Sequence, residues 1–297
     1  MHQEDDPGEC PSKKSEKGEA KMELMSMRSR SGAALVLLAG CMLLSPALSY
    51  AGEAGCIEGD CTNGSGTYVF DDGSKYIGEF QEGIPHGKGR YYAADGMFYS
   101  GEYEQGKKNG FGKVTYPDGR LYEGYFKENQ LHGKGMYRYA DGTVYKGEFH
   151  ENMWHGQGVL TLPDGRIYEG GFQDNKRHGT GKFTFREGEV YEGGYVQDRM
   201  EGKGVYTFPD GSRYEGDFLN DAYEGTGTFF FSDGRVYTGL FKEGKPHGTG
   251  TITYPDGTSE ACEYVMGELV EAQPPADEAG EGEDEAAAEE EASLEQP

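Results

Sequence analysis

Tryptophan occurs once in this 297-residue chain, cysteine five times, and 28 basic side chains face 53 acidic ones. Each shortage excludes something. At a formal net charge of −25, bulk electrostatic attraction to nucleic acid or to an anionic membrane is excluded as a mode of binding. The cysteines offer no second Cys pair, and no His cluster completes a tetrahedral zinc set. Glycine, by contrast, is abundant at 50 residues, and tyrosine and phenylalanine together number 37. An interior glycine costs a helix about 1 kcal/mol relative to alanine, which argues against a helical bundle. Collagen is excluded too, because glycine does not recur strictly at every third position. The buried surface of this chain is therefore expected to be aromatic.

The negative charge is concentrated at one end. Residues 271–297 carry 11 acids and no base, whereas residues 76–259 carry 27 acids and 21 bases, a net of −6. The tail has no aromatic residue and three prolines, so it cannot bury enough apolar surface to offset its ordering entropy, and disorder is expected. At the other end, residues 1–51 read as a hydrophilic prefix followed by an export signal. Ser31 to Gly52 contain no charge, Arg28 and Arg30 precede them, and the stretch from Ala33 to Leu44 is apolar. Three fates stay open: cleavage after Ser49-Tyr50-Ala51; lipidation of Cys41 in the lipobox-like Leu38-Ala39-Gly40-Cys41; or retention as an anchor, since about 20 apolar residues span a bilayer. Each implies export to a periplasm or cell envelope. Cys56 and Cys61, five residues apart, could close a small disulfide loop in such an oxidising compartment.

A repeat dominates the remainder. From Tyr76 to Ser259 the chain divides without insertion into eight units of 23 residues, which begin at Tyr76, Tyr99, Tyr122, Tyr145, Tyr168, Tyr191, Tyr214 and Tyr237. Two residues after each tyrosine stands a glycine: Gly78, Gly101, Gly124, Gly147, Gly170, Gly193, Gly216 and Gly239. A half unit within residues 52–75 precedes the array, and a degraded one over 260–270 follows it, as expected of terminal units that cap a stack. Within a unit, positions 1, 3 and 5 share one face of a strand, and so do positions 14, 16 and 18. The Asp-Gly before the next tyrosine is a hairpin-turn signal. About six residues around a recurrent His-Gly pair are expected to form a second, longer loop. The predicted fold is all-β: an elongated, single-layer antiparallel meander of about eight hairpins, with disordered termini. Glycine normally weakens a strand; here its expected role is to leave room for a tyrosine or phenylalanine ring to lie flat on the backbone.

The Tyr-x-Gly-x-Phe, His-Gly-x-Gly and Asp-Gly pattern resembles the MORN (membrane occupation and recognition nexus) repeat family, in an exported, bacterial form. The resemblance covers about 195 residues. It implies a twisted sheet of hairpins, often dimeric, that serves as a scaffold or membrane-associated module. Junctophilins, plant phosphatidylinositol-phosphate kinases and a histone-lysine methyltransferase carry such repeats beside another domain. This chain is expected to lack one, so no kinase or methyltransferase activity passes to it through the repeats.

The recurrent His86, His132, His155, His178 and His247 invite a metal reading. Neighbouring rungs lie two strands apart, roughly 10 Å, and cannot share an ion that needs ligands at about 2.0–2.1 Å. No metal, cofactor or catalytic residue is assigned, and the Gly-x-Gly of every unit belongs to the repeat and not to a nucleotide site. The expected function is a non-enzymatic scaffold for protein–protein interaction or self-association in the cell envelope, with an unidentified protein or a second copy as partner and no nucleic acid. One alternative is a membrane-surface module, with attachment through the N-terminus favoured over the repeats, whose basic clusters are no longer than Lys107-Lys108 and Lys176-Arg177. The other is a cell-wall carbohydrate binder that uses exposed aromatic rows.

Overall fold

The computed structural model describes residues 54–270. The signal segment with Cys41 and the acidic tail, both of which carry the disorder expectation, lie outside them. The described residues contain no helix; they form one 20-stranded sheet. Its strands are β1 (Gly55–Gly59), β2 (Ser65–Val69), β3 (Lys75–Gln81), β4 (Ile84–Tyr92), β5 (Phe98–Glu104), β6 (Lys107–Thr115), β7 (Leu121–Lys127) and β8 (Gln130–Arg138). There follow β9 (Val144–His150), β10 (Met153–Thr161), β11 (Ile167–Gln173), β12 (Lys176–Thr184), β13 (Val190–Val196) and β14 (Arg199–Thr207). The last six are β15 (Arg213–Leu219), β16 (Ala222–Phe230), β17 (Val236–Lys242), β18 (Lys245–Thr253), β19 (Ser259–Val265) and β20 (Glu268–Leu269). Each strand pairs antiparallel with its neighbours in sequence, from β1–β2 to β19–β20, so the sheet is an open meander. Both half units join it as hairpins, and Cys56 is disulfide-bonded to Cys61 where β1 turns into β2.

Two turns alternate along the chain. At the Asp-Gly signal the strands are joined by a tight loop in which, for example, Gly119 N–H bonds to Tyr116 C=O and Tyr116 N–H to Arg120 C=O. Gly119 sits at φ 88°, a conformation that only glycine adopts freely, and Asp118 Oδ1 accepts the Arg120 N–H at 3.1 Å. Three-residue loops with a left-handed glycine after a type I turn have this form.

The second turn differs from the expected long loop around His-Gly. It lies four residues earlier and has only two central residues, such as Glu128 (φ 51°) and Asn129 (φ 69°) between β7 and β8. Positive φ at both positions is the type I′ hairpin. Non-glycine residues accept it because the turn is tied to the preceding unit: Asn129 Oδ1 accepts the Lys108 N–H, and Asn152 Oδ1 the Leu131 N–H, each at 2.8 Å. His132 and Gly133 therefore sit inside β8, where the pairing with β7 shifts register between Gly124 and Phe126. That bulge needs one left-handed residue, and Gly133 supplies it at φ 62°.

One face of the sheet is the core. Each leading tyrosine sits edge-on between the position-five aromatic of its own unit and that of the next. Tyr122 meets Phe126 at 5.1 Å and Phe149 at 5.2 Å, with interplanar angles of 84° and 87°. The same zipper runs from Tyr76–Phe80 to Tyr237–Tyr264. Edge-to-face packing suits the ring quadrupoles and adds about 0.5–1.5 kcal/mol per pair beyond area burial. A second layer is unnecessary because the rings are covered by one another.

The ring layer leaves no volume above the glycines. A Cβ on Gly124 would stand 2.5 Å from Gly135 Cα, which is backbone, and 2.5 Å from the Tyr122 hydroxyl. Gly124→Val should therefore lower the melting temperature by ~2–12 °C, given overpacking costs of about 1–3 kcal/mol and about 2–4 °C per kcal/mol at this size. His132→Ala, which removes a half-exposed ring, should shift it by less than ~2 °C. Thermal unfolding followed by circular dichroism distinguishes the two; equal shifts would contradict the ranking.

Candidate functional site

The eight leading tyrosines occupy equivalent places: all are 2% exposed or less. Their hydroxyls donate to the backbone carbonyl three residues on: Tyr76 to Glu79, Tyr99 to Glu102, Tyr122 to Tyr125, Tyr145 to Glu148, Tyr168 to Gly171, Tyr191 to Gly194, Tyr214 to Asp217 and Tyr237 to Leu240, at 2.8–3.5 Å. That carbonyl lies where the ladder changes register, so the phenol supplies a hydrogen-bond partner where strand pairing is interrupted. Between position one and position four the ring passes over two glycines, one on its own strand and one on the next. Added Cβ atoms on Gly78, Gly101, Gly147, Gly170, Gly193, Gly216 and Gly239 would all lie within 2.7 Å of the leading tyrosine's side chain or the facing glycine. The facing glycines pair across strands, Gly101 with Gly112, Gly112 with Gly124, Gly124 with Gly135 and so on to Gly239 with Gly250. An unbroken row of glycine consequently crosses the sheet, and at its end Cys262 takes the glycine's place opposite Gly250.

Position ten of the unit, in which Pro85, Lys108, Leu131, Trp154, Arg177, Met200, Tyr223 and Pro246 follow one another, covers the tyrosine from the side. Trp154 stacks on Tyr145 (4.7 Å, 11°) and Tyr223 on Tyr214 (3.9 Å, 21°). The Arg177 guanidinium lies 5.8, 5.3 and 5.0 Å from the rings of Tyr168, Phe183 and Tyr195 and bonds to Asp198. Sequence reading missed this contact. Its chemistry changes from unit to unit, and a search for recurring residue types passes over a position that keeps only its place.

On the opposite face the glycine row is bare, and it forms the floor of a groove of about 1180 Å³ that runs across the middle of the sheet. Gly124, Gly135, Gly147, Gly158, Gly170 and Gly181 make the floor, and side chains from positions two, four, thirteen and fifteen make the walls. The walls are mixed in charge, with Lys134, Lys146 and Lys182 beside Glu123, Glu148, Glu169 and Glu192. Several cations of this face are paired: Lys113 with Glu123 at 3.3 Å, Lys182 with Glu192 at 2.7 Å and Lys203 with Asp217 at 2.8 Å. At one end stands an apolar patch. Phe111 and Tyr125 meet edge to face at 5.6 Å across β6 and β7 while 46% and 52% exposed, and Met136 and Val159 continue it along the groove. Neither Phe111 nor Tyr125 recurs in the repeat: other units carry Lys, Gln or Thr at the first position and Glu, Asp, Gly or Leu at the second.

Burial pushes the leading phenols up. Tyr76 and Tyr237 rise to about 12, Tyr76 with a smaller contribution from the Glu79 carboxylate, and Tyr168 rises to about 12 against the opposing pull of Arg177; the other five are pushed higher, again by burial first. Unfolded tyrosines ionise near ~10. Stability is thus untouched below about pH 10 and falls as pH rises from there, because the unfolded chain loses phenolic protons that the folded chain keeps. Alkaline titration followed by tyrosinate absorbance should show the buried phenols ionising only together with the loss of strand signal, above about pH 10. A single smooth transition with the fold intact would contradict this.

Comparison with known proteins agrees with the repeat. A family model described as MORN repeat matches residues 62–75, 76–98, 99–119, 122–144, 145–165, 168–190, 191–213, 214–234 and 237–259. No curated protein matches the sequence. Among solved structures, the chain is similar to the G-box domain of the microcephaly protein CPAP (19% identity, 68% of this chain and 99% of that one, TM-score 0.36). It is also similar to the TCP10 domain of Danio rerio CPAP (15%, 70% and 90%, TM-score 0.35) and to that domain in complex with a peptide of Danio rerio STIL (17%, 73% and 100%, TM-score 0.30).

Proposed function

The chain belongs to the MORN repeat family, and from that premise we propose that it is a non-enzymatic repeat scaffold that binds another polypeptide in the groove beside Phe111 and Tyr125. The observation that carries this reading is the exposed aromatic pair. Two large rings left half in water at the head of a groove, with methionine and valine beyond them, are an apolar surface that the fold does not itself cover. The bare glycine floor lets a partner's main chain or side chains approach the backbone closely, and the mixed charges along the walls can set its direction. Aromatic anchors at the centre of such a contact commonly carry most of its binding energy.

Membrane binding by the repeats has less support, since paired cations on this face leave little net positive charge for anionic lipid. Stacking on sugars would need an exposed row of aromatic rings, and the leading tyrosines are buried. Export and membrane attachment through residues 1–51, with Cys41 as the lipidation candidate, remain part of this proposal on the sequence pattern alone, as does self-association.

A photo-crosslinking residue placed at Tyr125 in the full chain, irradiated in its host cell, should yield a protein adduct of discrete mass. Phe111→Ala should reduce that adduct at least ~5-fold, and the same probe at exposed Leu219, four units further along, should not produce it. Adducts that are lipid or glycan, or protein adducts indifferent to Phe111 and equal at Leu219, would overturn the reading.

A further inference from the structure

The histidines two strands apart are too distant to share an ion, but the strand between them supplies another. His150 ends β9, which lies between β8 and β10, and its ring lies 5.3 Å from that of His132 on one side and 5.7 Å from that of His155 on the other. At position six the other units carry Gln81, Glu104, Lys127, Gln173, Val196, Leu219 and Lys242, so among the described residues this row of three imidazoles exists only here.

Beyond His155 stands an acid. His155 Nδ1 is buried and makes no hydrogen bond, and the Asp174 Oδ1 lies 3.9 Å from it, too far to bond directly. The rest of the His155 side chain is 45% exposed, so this nitrogen lies close to the surface. Two ligands of one zinc-like ion, each about 2.0–2.2 Å from it, stand about 3.3–4 Å apart, and two imidazoles on such an ion have ring centres roughly 5 Å apart. The Asp174–His155 separation and the His150–His155 ring distance are close to these values. Among the described residues no three such side chains already converge on a point. Asp174, 60% exposed in its side chain, and the exposed His150 would have to turn inward to close on His155.

We propose that His155, His150 and Asp174 bind one late first-row divalent ion of the zinc, nickel or copper class, with His155 Nδ1 as the fixed ligand and the other two closing on it, and with His132 packed behind His150. Imidazole and carboxylate donors suit that class of ion. The neighbouring acids Glu148, paired in register with His155, and Glu151, next to His150 in the chain, add negative potential. The ion would bridge β9, β10 and the turn after β11, and so staple two adjacent repeats.

The test uses the full chain and Cu²⁺ and Zn²⁺ as probes. Calorimetric titration with Zn²⁺ should show one tight class of sites, weakened at least ~10-fold by His155→Asn and by His150→Asn, since losing even an outer-shell partner costs a metal site about 10–100-fold. Asp174→Asn should weaken it less. The electron paramagnetic resonance spectrum of the Cu²⁺ complex should show two nitrogen donors in the parent and one in either histidine variant. His178→Asn, which alters a repeat histidine outside the row, should leave both readouts unchanged; circular dichroism confirms that each variant keeps its strands. If His150→Asn binds like the parent, if His178→Asn is equally weakened, or if only oxygen donors appear, as on the acidic tail, the proposal fails.

Discussion

Each tyrosine that opens a unit lies across two paired glycines and bonds its hydroxyl to the carbonyl at the bulge beyond them, and the rest of the molecule depends on that single arrangement. Tyr122 over Gly124 and Gly135 shows why. Without the glycines the ring has nowhere to lie; without the ring the glycine row is exposed backbone on both faces; without the hydroxyl the Tyr125 carbonyl loses its partner at a register change. The edge-to-face contacts with Phe126 and Phe149 then pass the constraint to the next unit. A single sheet can be stable in water because each ring is buried by the strand below it and by the rings beside it.

The same constraint shapes the other face. Any side chain in the glycine column would point toward the tyrosines, so on the groove side the column presents only backbone, and the groove has a backbone floor wherever the repeat is kept. What varies is the wall. Most of it is polar, with some residues in ion pairs such as Lys182–Glu192, and among the described residues only β6 and β7 place two exposed rings together, Phe111 and Tyr125. The repeat thus provides a uniform track, and the departures from it mark where the track is specialised. His150 is a departure of the same kind, a histidine at a position that elsewhere holds amide, acid, lysine or aliphatic residues.

The fold was legible because it is written eight times: the 23-residue period, the strand alternation and the Asp-Gly turn each follow from local chemistry. The second turn was not. Glu128-Asn129 is a weaker signal than His132-Gly133, and it adopts two positive φ values because Asn129 also bonds to Lys108 in the previous unit; a contact between residues 21 apart is invisible to local reading. The ring-capping position ten escaped for a related reason. Proline, lysine, tryptophan and arginine share no residue type there, only a place beside a tyrosine.

The 23-residue period alone sets the class of structure: an all-β meander with a tyrosine core, fixed by a period too regular for any other packing and by glycines placed where a ring must lie. Which side chains meet across strands is settled instead by the assembled sheet. Phe111 with Tyr125, His150 between His132 and His155, and Trp154 on Tyr145 are separated in sequence by turns whose length sets the register, and one residue of difference in a turn would send each of them to the opposite face. Local chemistry fixes the strands; hydrogen-bonded register, a property of the whole sheet, fixes the surfaces they present.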